Sequence, residues 1–87
     1  PIIYIIGNDQ RWGAEVEIQM REYGQDRAKY CMLDNLTRYD QIAEGMGCQG
    51  HFIQSIDELK KVIYKAILSK KTTIIDIEMD GLPAPAF

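Results

Sequence analysis

The sequence predicts an α/β fold: a three-layer α/β/α arrangement with a mainly parallel sheet and elements in the order β-α-α-β-α-β. Three observations predict it. Two apolar runs rich in Ile, residues 2–6 and 72–79, read as strands near the two ends of the chain. Leu59, Val62, Ile63, Ala66 and Ile67 recur at helical spacing between them, the strongest helix signal present. A further short strand at 51–54 stands between two helical segments, which is the alternation expected of parallel strands with crossover helices.

Each element has a local reason. Residues 2–6 are apolar on both faces, which fits a central parallel strand covered on both sides. A helix follows from Gly13 to about Tyr23; Val16, Met20 and Tyr23 line up on one face, and Gly24 ends it. Residues 25–35 read as a loop with a short apolar patch at 30–33. Thr37 begins a second helix with Asp40 as its first-turn acid, and Tyr39, Ile42, Ala43 and Met46 form its buried stripe. Gly45, Gly47 and Gly50 bracket the exit from that helix. Ser55 and Glu58 form a capping box for the third helix, and Lys70 and Lys71 sit at its carboxyl end, where cations are favoured. Residues 81–87 form a Pro-containing tail.

Composition narrows the function. The chain has 87 residues, enough for one small domain at most, and a formal charge of −3 with scattered Lys and Arg. That balance does not suggest nucleic acid or an anionic membrane as a main partner. No apolar run approaches the roughly 20 residues a membrane span needs, and no signal-peptide pattern is present. Cys31 and Cys48 have no metal-like spacing and read as reduced thiols of a cytoplasmic protein.

The richest stretch chemically is Gly7-Asn8-Asp9-Gln10-Arg11-Trp12-Gly13. In open α/β sheets, ligands bind where strand carboxyl ends meet helix N-termini. Asn8 and Asp9 fall at that position. Their oxygens suit a hard cation, and the helix behind them suits a phosphate. Asp9, Glu15 and Glu17 crowd the same helix end with negative charge, so a bare diphosphate would be repelled and a divalent cation must bridge.

This stretch resembles the second half of the cofactor-binding motif of thiamine diphosphate enzymes. The later order agrees: Arg38-Tyr39-Asp40 through Ala43, Gly45 and Gly47, then Gly50, then Ser55-Ile56-Asp57-Glu58-Leu59, then Thr73-Ile74-Ile75-Asp76-Ile77. The whole is similar to the carboxyl-terminal domain of acetolactate-synthase-like members, including carboligases and 2-oxo acid decarboxylases. The resemblance implies thiamine diphosphate and Mg²⁺ as cofactors. It implies the Asn8 side chain and the Gln10 backbone carbonyl as metal ligands, with Arg11, Trp12 and Gly13 near the diphosphate. It also implies a 2-oxo acid or acyl-CoA-type substrate and a transferase or lyase reaction.

The departures matter too. The Gly-Asp-Gly that opens the family's motif does not occur in this sequence, and the family's catalytic Glu lies on another domain, usually of a neighbouring subunit. No residue here is therefore assigned a catalytic role. The chain is expected to be the distal portion of a single thiamine diphosphate-binding domain within a longer enzyme. It would need the remainder of that enzyme and a second subunit as partners, and would be inactive alone.

Plainer readings stand beside these. Asn8 and Asp9 can cap a turn or helix. Trp12, Tyr39 and Tyr64 can be core residues. Glu15 and Glu17 can be favourable first-turn charges, His51 a structural histidine, and Lys60, Lys61, Lys65, Lys70 and Lys71 a solvated face. One alternative function is a scaffold or interaction module of the same fold. Another is a tautomerase using the Pro1 amine as base, with Arg11 and Arg38 holding an acidic substrate.

Overall fold

The computed structural model describes residues 1–11, 13–24, 33 and 37–80, with the backbone alone at 14, 16 and 17. Its elements are β1 (Ile3–Asn8), α1 (Gly13–Tyr23), α2 (Tyr39–Gly45), β2 (Gln49–Ile53), α3 (Ile56–Ser69) and β3 (Thr73–Glu78). The expected loop at 25–35 and tail at 81–87 lie outside the described residues, apart from Leu33. The chain divides into two units, Pro1–Asn8 with Thr37–Met79, and Asp9–Leu36 with Asp80–Phe87.

The first unit holds the sheet. Its three strands run in the order β1-β3-β2 and are all parallel. The register pairs Ile5 with Ile75 and Ile75 with His51, and it pairs Ile6 with Asp76 and Asp76 with Phe52. Because side chains alternate across a strand, these two rows face opposite sides of the sheet. On one side Ile53, Ile75 and Ile77 form the core, and Ile3 together with Leu59, Val62 and Ile63 of α3 packs against them. Complete burial of Ile75 contributes about 2 kcal/mol. On the other side α2 lies against β2 and β3, so the unit has three layers.

Among the described residues the central strand is β3, which differs from the expectation for residues 2–6. Strand β1 is paired on one side by β3, and α2 does not cover it. Tyr4 and Ile5 are consequently 52% and 49% exposed. Apolar character on both faces marks a strand that can be covered twice; it does not by itself provide the cover.

Helix α3 begins as expected. The Ser55 hydroxyl accepts from the Glu58 N–H at 3.2 Å. Its exit is less ordinary: Lys70 takes the left-handed conformation, φ 55°, usually given to glycine. The Ser69 hydroxyl secures that exit by donating to the Ala66 carbonyl at 2.8 Å and accepting from the Lys71 N–H at 3.2 Å. Ile67 and Tyr64, expected in the core, are exposed. The five lysines expected on a solvated face are all exposed.

Helix α2 begins at Tyr39, two residues after the expected Thr37, and its N-cap Arg38 offers no side-chain capping bond. Of the expected stripe, Ala43 is buried and Tyr39 half-buried, whereas Ile42 and Met46 are exposed. What seats the helix is close backbone contact. A Cβ at Gly50 would overlap the Asp40 carbonyl, so only glycine lets α2 approach β2 this closely.

The second unit contributes α1, whose limits match expectation. Gly24, at φ 86°, donates its N–H to the Met20 carbonyl at 3.1 Å and closes the helix. Tyr23 and Met20, expected on its apolar face, are exposed; the side chain of Val16 is outside the described residues. No described helix is long and apolar enough to cross a membrane.

Candidate functional site

Parallel strands bring their carboxyl ends to one side of a sheet, and Asn8 is the last residue of β1 there. Its side-chain amide is held from below. Asn8 Nδ2 donates to Asp76 Oδ1 at 3.1 Å, across from β1 to the central strand. Asp76 is completely buried, and its second oxygen accepts the Tyr39 backbone N–H at 3.3 Å, at the first turn of α2. One carboxylate thus joins the end of β1 to the start of α2. A helix N-terminus carries positive partial charge, which makes it a fitting partner for a buried carboxylate.

Arg38 adds a full positive charge nearby. Its guanidinium forms two 2.9 Å hydrogen bonds with Asp40 and lies 4.1 Å from the Phe52 ring centroid. The hydrogen bond from Arg38 is the main reason the Asp40 carboxyl sits below the ordinary carboxylate range, against the opposing effect of burial. In return Arg38 holds its proton more tightly than a free arginine, through that hydrogen bond first and the charges of Asp40, Asp76 and Glu44 after it. The sequence presents Asp40 as a first-turn acid and Asp76 as part of a pattern without a role. The signal for Asp76 was available: a carboxylate within an otherwise apolar strand needs partners to be buried.

In the second unit, Gln10 adopts φ 62°, a left-handed conformation uncommon for a residue with a Cβ. Its carbonyl accepts the Leu33 N–H at 2.8 Å. Arg11 Nε is buried and makes no hydrogen bond, which fits an anion-binding position. The Asp9 carboxylate lies against Gly13, with Oδ2 3.3 Å from where a Cβ would stand. Glu15 occupies the first turn of α1. Trp12 and the Glu17 side chain are outside the described residues. Asn8 and Gln10, the expected metal ligands, are two positions apart in the chain.

Taken singly, an amide oxygen and a peptide carbonyl oxygen are each the kind of donor a hard divalent cation takes. Among the described residues no group of three His, Cys, Asp or Glu side chains could hold a metal. A separate open groove of about 450 Å³ lies at the amino end of β2, lined by Glu44, Cys48, His51 and Lys65 among others. It is at the opposite end of the sheet from Asn8, since Gln49 pairs with Thr73 and Asn8 with Glu78. His51 is half-buried there, and Cys48 is a free thiol. Cys31 is outside the described residues.

Residues 1–77 match the model of the family described as thiamine pyrophosphate enzyme, C-terminal TPP-binding domain. The chain belongs to this family. The α/β architecture with an all-parallel sheet agrees with that membership, and the parent protein is accordingly a thiamine diphosphate enzyme. In this TPP-binding domain, the end of β1 and the residues after it carry the stretch on which the resemblance rested. No solved structure matches the chain at a significant level.

Proposed function

We propose that this chain supplies the metal and diphosphate side of the cofactor site in an acetolactate-synthase-like enzyme. The observation that carries the reading is the Asn8 amide at a strand carboxyl end, anchored through its nitrogen. The Asn8 side-chain oxygen and the Gln10 carbonyl would hold Mg²⁺. The Arg11 guanidinium and the backbone at Trp12 and Gly13, leading into α1, would face the diphosphate. When bound, thiamine diphosphate supplies an electron sink for breaking or making a bond next to a carbonyl. The role of this chain is to bind and orient that group. A catalytic Glu would come from a second subunit, and the substrate class is a 2-oxo acid or an acyl-CoA relative. Decarboxylation, carboligation and lyase chemistry are all compatible with this contribution.

The test is Asn8→Ala in the protein as it naturally occurs, with Mg²⁺-dependent thiamine diphosphate binding followed by calorimetry. The affinity should fall at least about 10-fold, in line with loss of a metal-site group. An unchanged Mg²⁺ dependence would overturn the reading. The tautomerase alternative is weakened by one observation: Asp40 already occupies the guanidinium of Arg38, one of the two arginines offered for an acidic substrate.

A further inference from the structure

A primary amide can face a metal with its oxygen or, flipped, with its nitrogen, and only the oxygen is a donor to Mg²⁺. The Asn8 side chain must therefore be held in one of two nearly isosteric orientations. We propose that Asp76 is the positioning residue that makes this choice. The inference rests on Asn8 being a metal ligand. The Asp76 carboxylate presents only acceptors, so an Asn8 amide 3.1 Å away must turn its nitrogen toward it. The flipped amide would set oxygen against an oxygen of the fully buried Asp76 carboxylate, in a part-buried contact where such repulsion is less screened than in water. Asn8 Oδ1 is thereby turned away from Asp76. The Asp76 carboxylate is itself fixed, because its other oxygen is engaged by the Tyr39 N–H and its strand is central in the sheet. The start of α2 thus helps to define the orientation of an amide at the end of β1.

Asp76→Asn tests this with little change of volume. An amide at this position can offer oxygen to only one of the two N–H donors and must present its own N–H₂ to the other. The readout is Mn²⁺ affinity by electron paramagnetic resonance, on the natural protein with saturating thiamine diphosphate. Asp76→Asn should weaken Mn²⁺ binding about 10-fold, the lower end of the range for groups that orient metal ligands. Added to Asn8→Ala, it should cause less than about a 2-fold further change, since no amide oxygen remains to orient. Tyr39→Pro provides the contrast. It removes the second hydrogen bond together with the half-buried Tyr39 side chain, at a position where helices accept proline, and the extended conformation of Arg38 (φ −108°, ψ 97°) suits a residue before proline. It should lower stability while leaving Mn²⁺ affinity within about 3-fold.

If Asn8→Ala weakens Mn²⁺ binding and Asp76→Asn does not, the positioning role is overturned and the ligand role stands. If Asn8→Ala has no effect, the ligand role fails and the inference fails with it. A measurement without substitution decides the matter should Asp76→Asn lose its fold. In the Mg²⁺-loaded protein the Asn8 Nδ2 protons should be protected from solvent exchange by Asp76. Free exchange of those protons overturns the proposal.

Discussion

The Asp40 carbonyl occupies the space where any side chain at Gly50 would begin. This pair sets the distance between α2 and β2, and hence the position of the helix start that meets Asp76. Gly50→Ala should destabilise the protein by about 3 kcal/mol, the upper part of the usual range for overpacking, because the obstructing atoms are backbone and cannot rotate away. Chemical denaturation of the two forms measures it. A loss below about 1 kcal/mol would mean that α2 can retreat from the sheet at little cost.

The Arg38–Asp40 pair should make stability depend on pH in the acid range. Folding lowers the Asp40 pKa from its ordinary 3.8, so the stabilisation is fully present above that value. It is lost as pH falls through the depressed value of the folded state. Asp40→Asn should therefore lower the melting temperature at neutral pH, and the gap from the unsubstituted protein should narrow progressively as pH falls below 3.8. A gap of constant size across that range would show that the ion pair is not its source.

At the start of α3, Ser55→Ala removes the acceptor for the Glu58 N–H. The expected cost is about 1 kcal/mol, and Ser55→Gly should cost less than Ser55→Ala despite glycine's greater flexibility. Equal or reversed effects in thermal melts would indicate that the cap is satisfied by water.

Gln10 separates backbone from side-chain roles. At φ 62°, Gln10→Gly should relieve backbone strain of about 1 kcal/mol and leave Mg²⁺-dependent cofactor binding within about 2-fold. Gln10→Pro, confined to φ near −65°, should lower both stability and binding. If Gln10→Gly loses the cofactor, the side chain and not the carbonyl is the contributing group.

Sequence reading located what is encoded locally. Gly24 and Ser55 mark a helix end and a helix start through bonds to residues within four positions, and both were legible. The start of α2 was misplaced because its cap is remote: Tyr39 donates to a carboxylate 37 residues away. The same remoteness hid the partner of Asn8, which is 68 residues distant. Strand order was illegible for a related reason. The apolar runs of β1 and β3 look alike, and only pairing distinguishes edge from centre. Asn8 itself could be singled out because the abrupt change from apolar strand to Gly-Asn-Asp is contained within a few residues.

The sheet order has a consequence for the time course of folding. The central strand β3 is the last of the three in chain order, and neither β1 nor β2 has another strand partner among the described residues. The contact between Ile2 and Thr72 closes a loop of 70 residues. These three strands therefore cannot pair with one another until β3 has left the ribosome, although α3 can coil earlier from local contacts alone. Pairing of this high contact order is slow, because chain entropy is lost before the strands reward it. Until then the apolar face of β1 must be kept from other chains, and a premature stop before Thr73 leaves β1 and β2 without the strand that joins them.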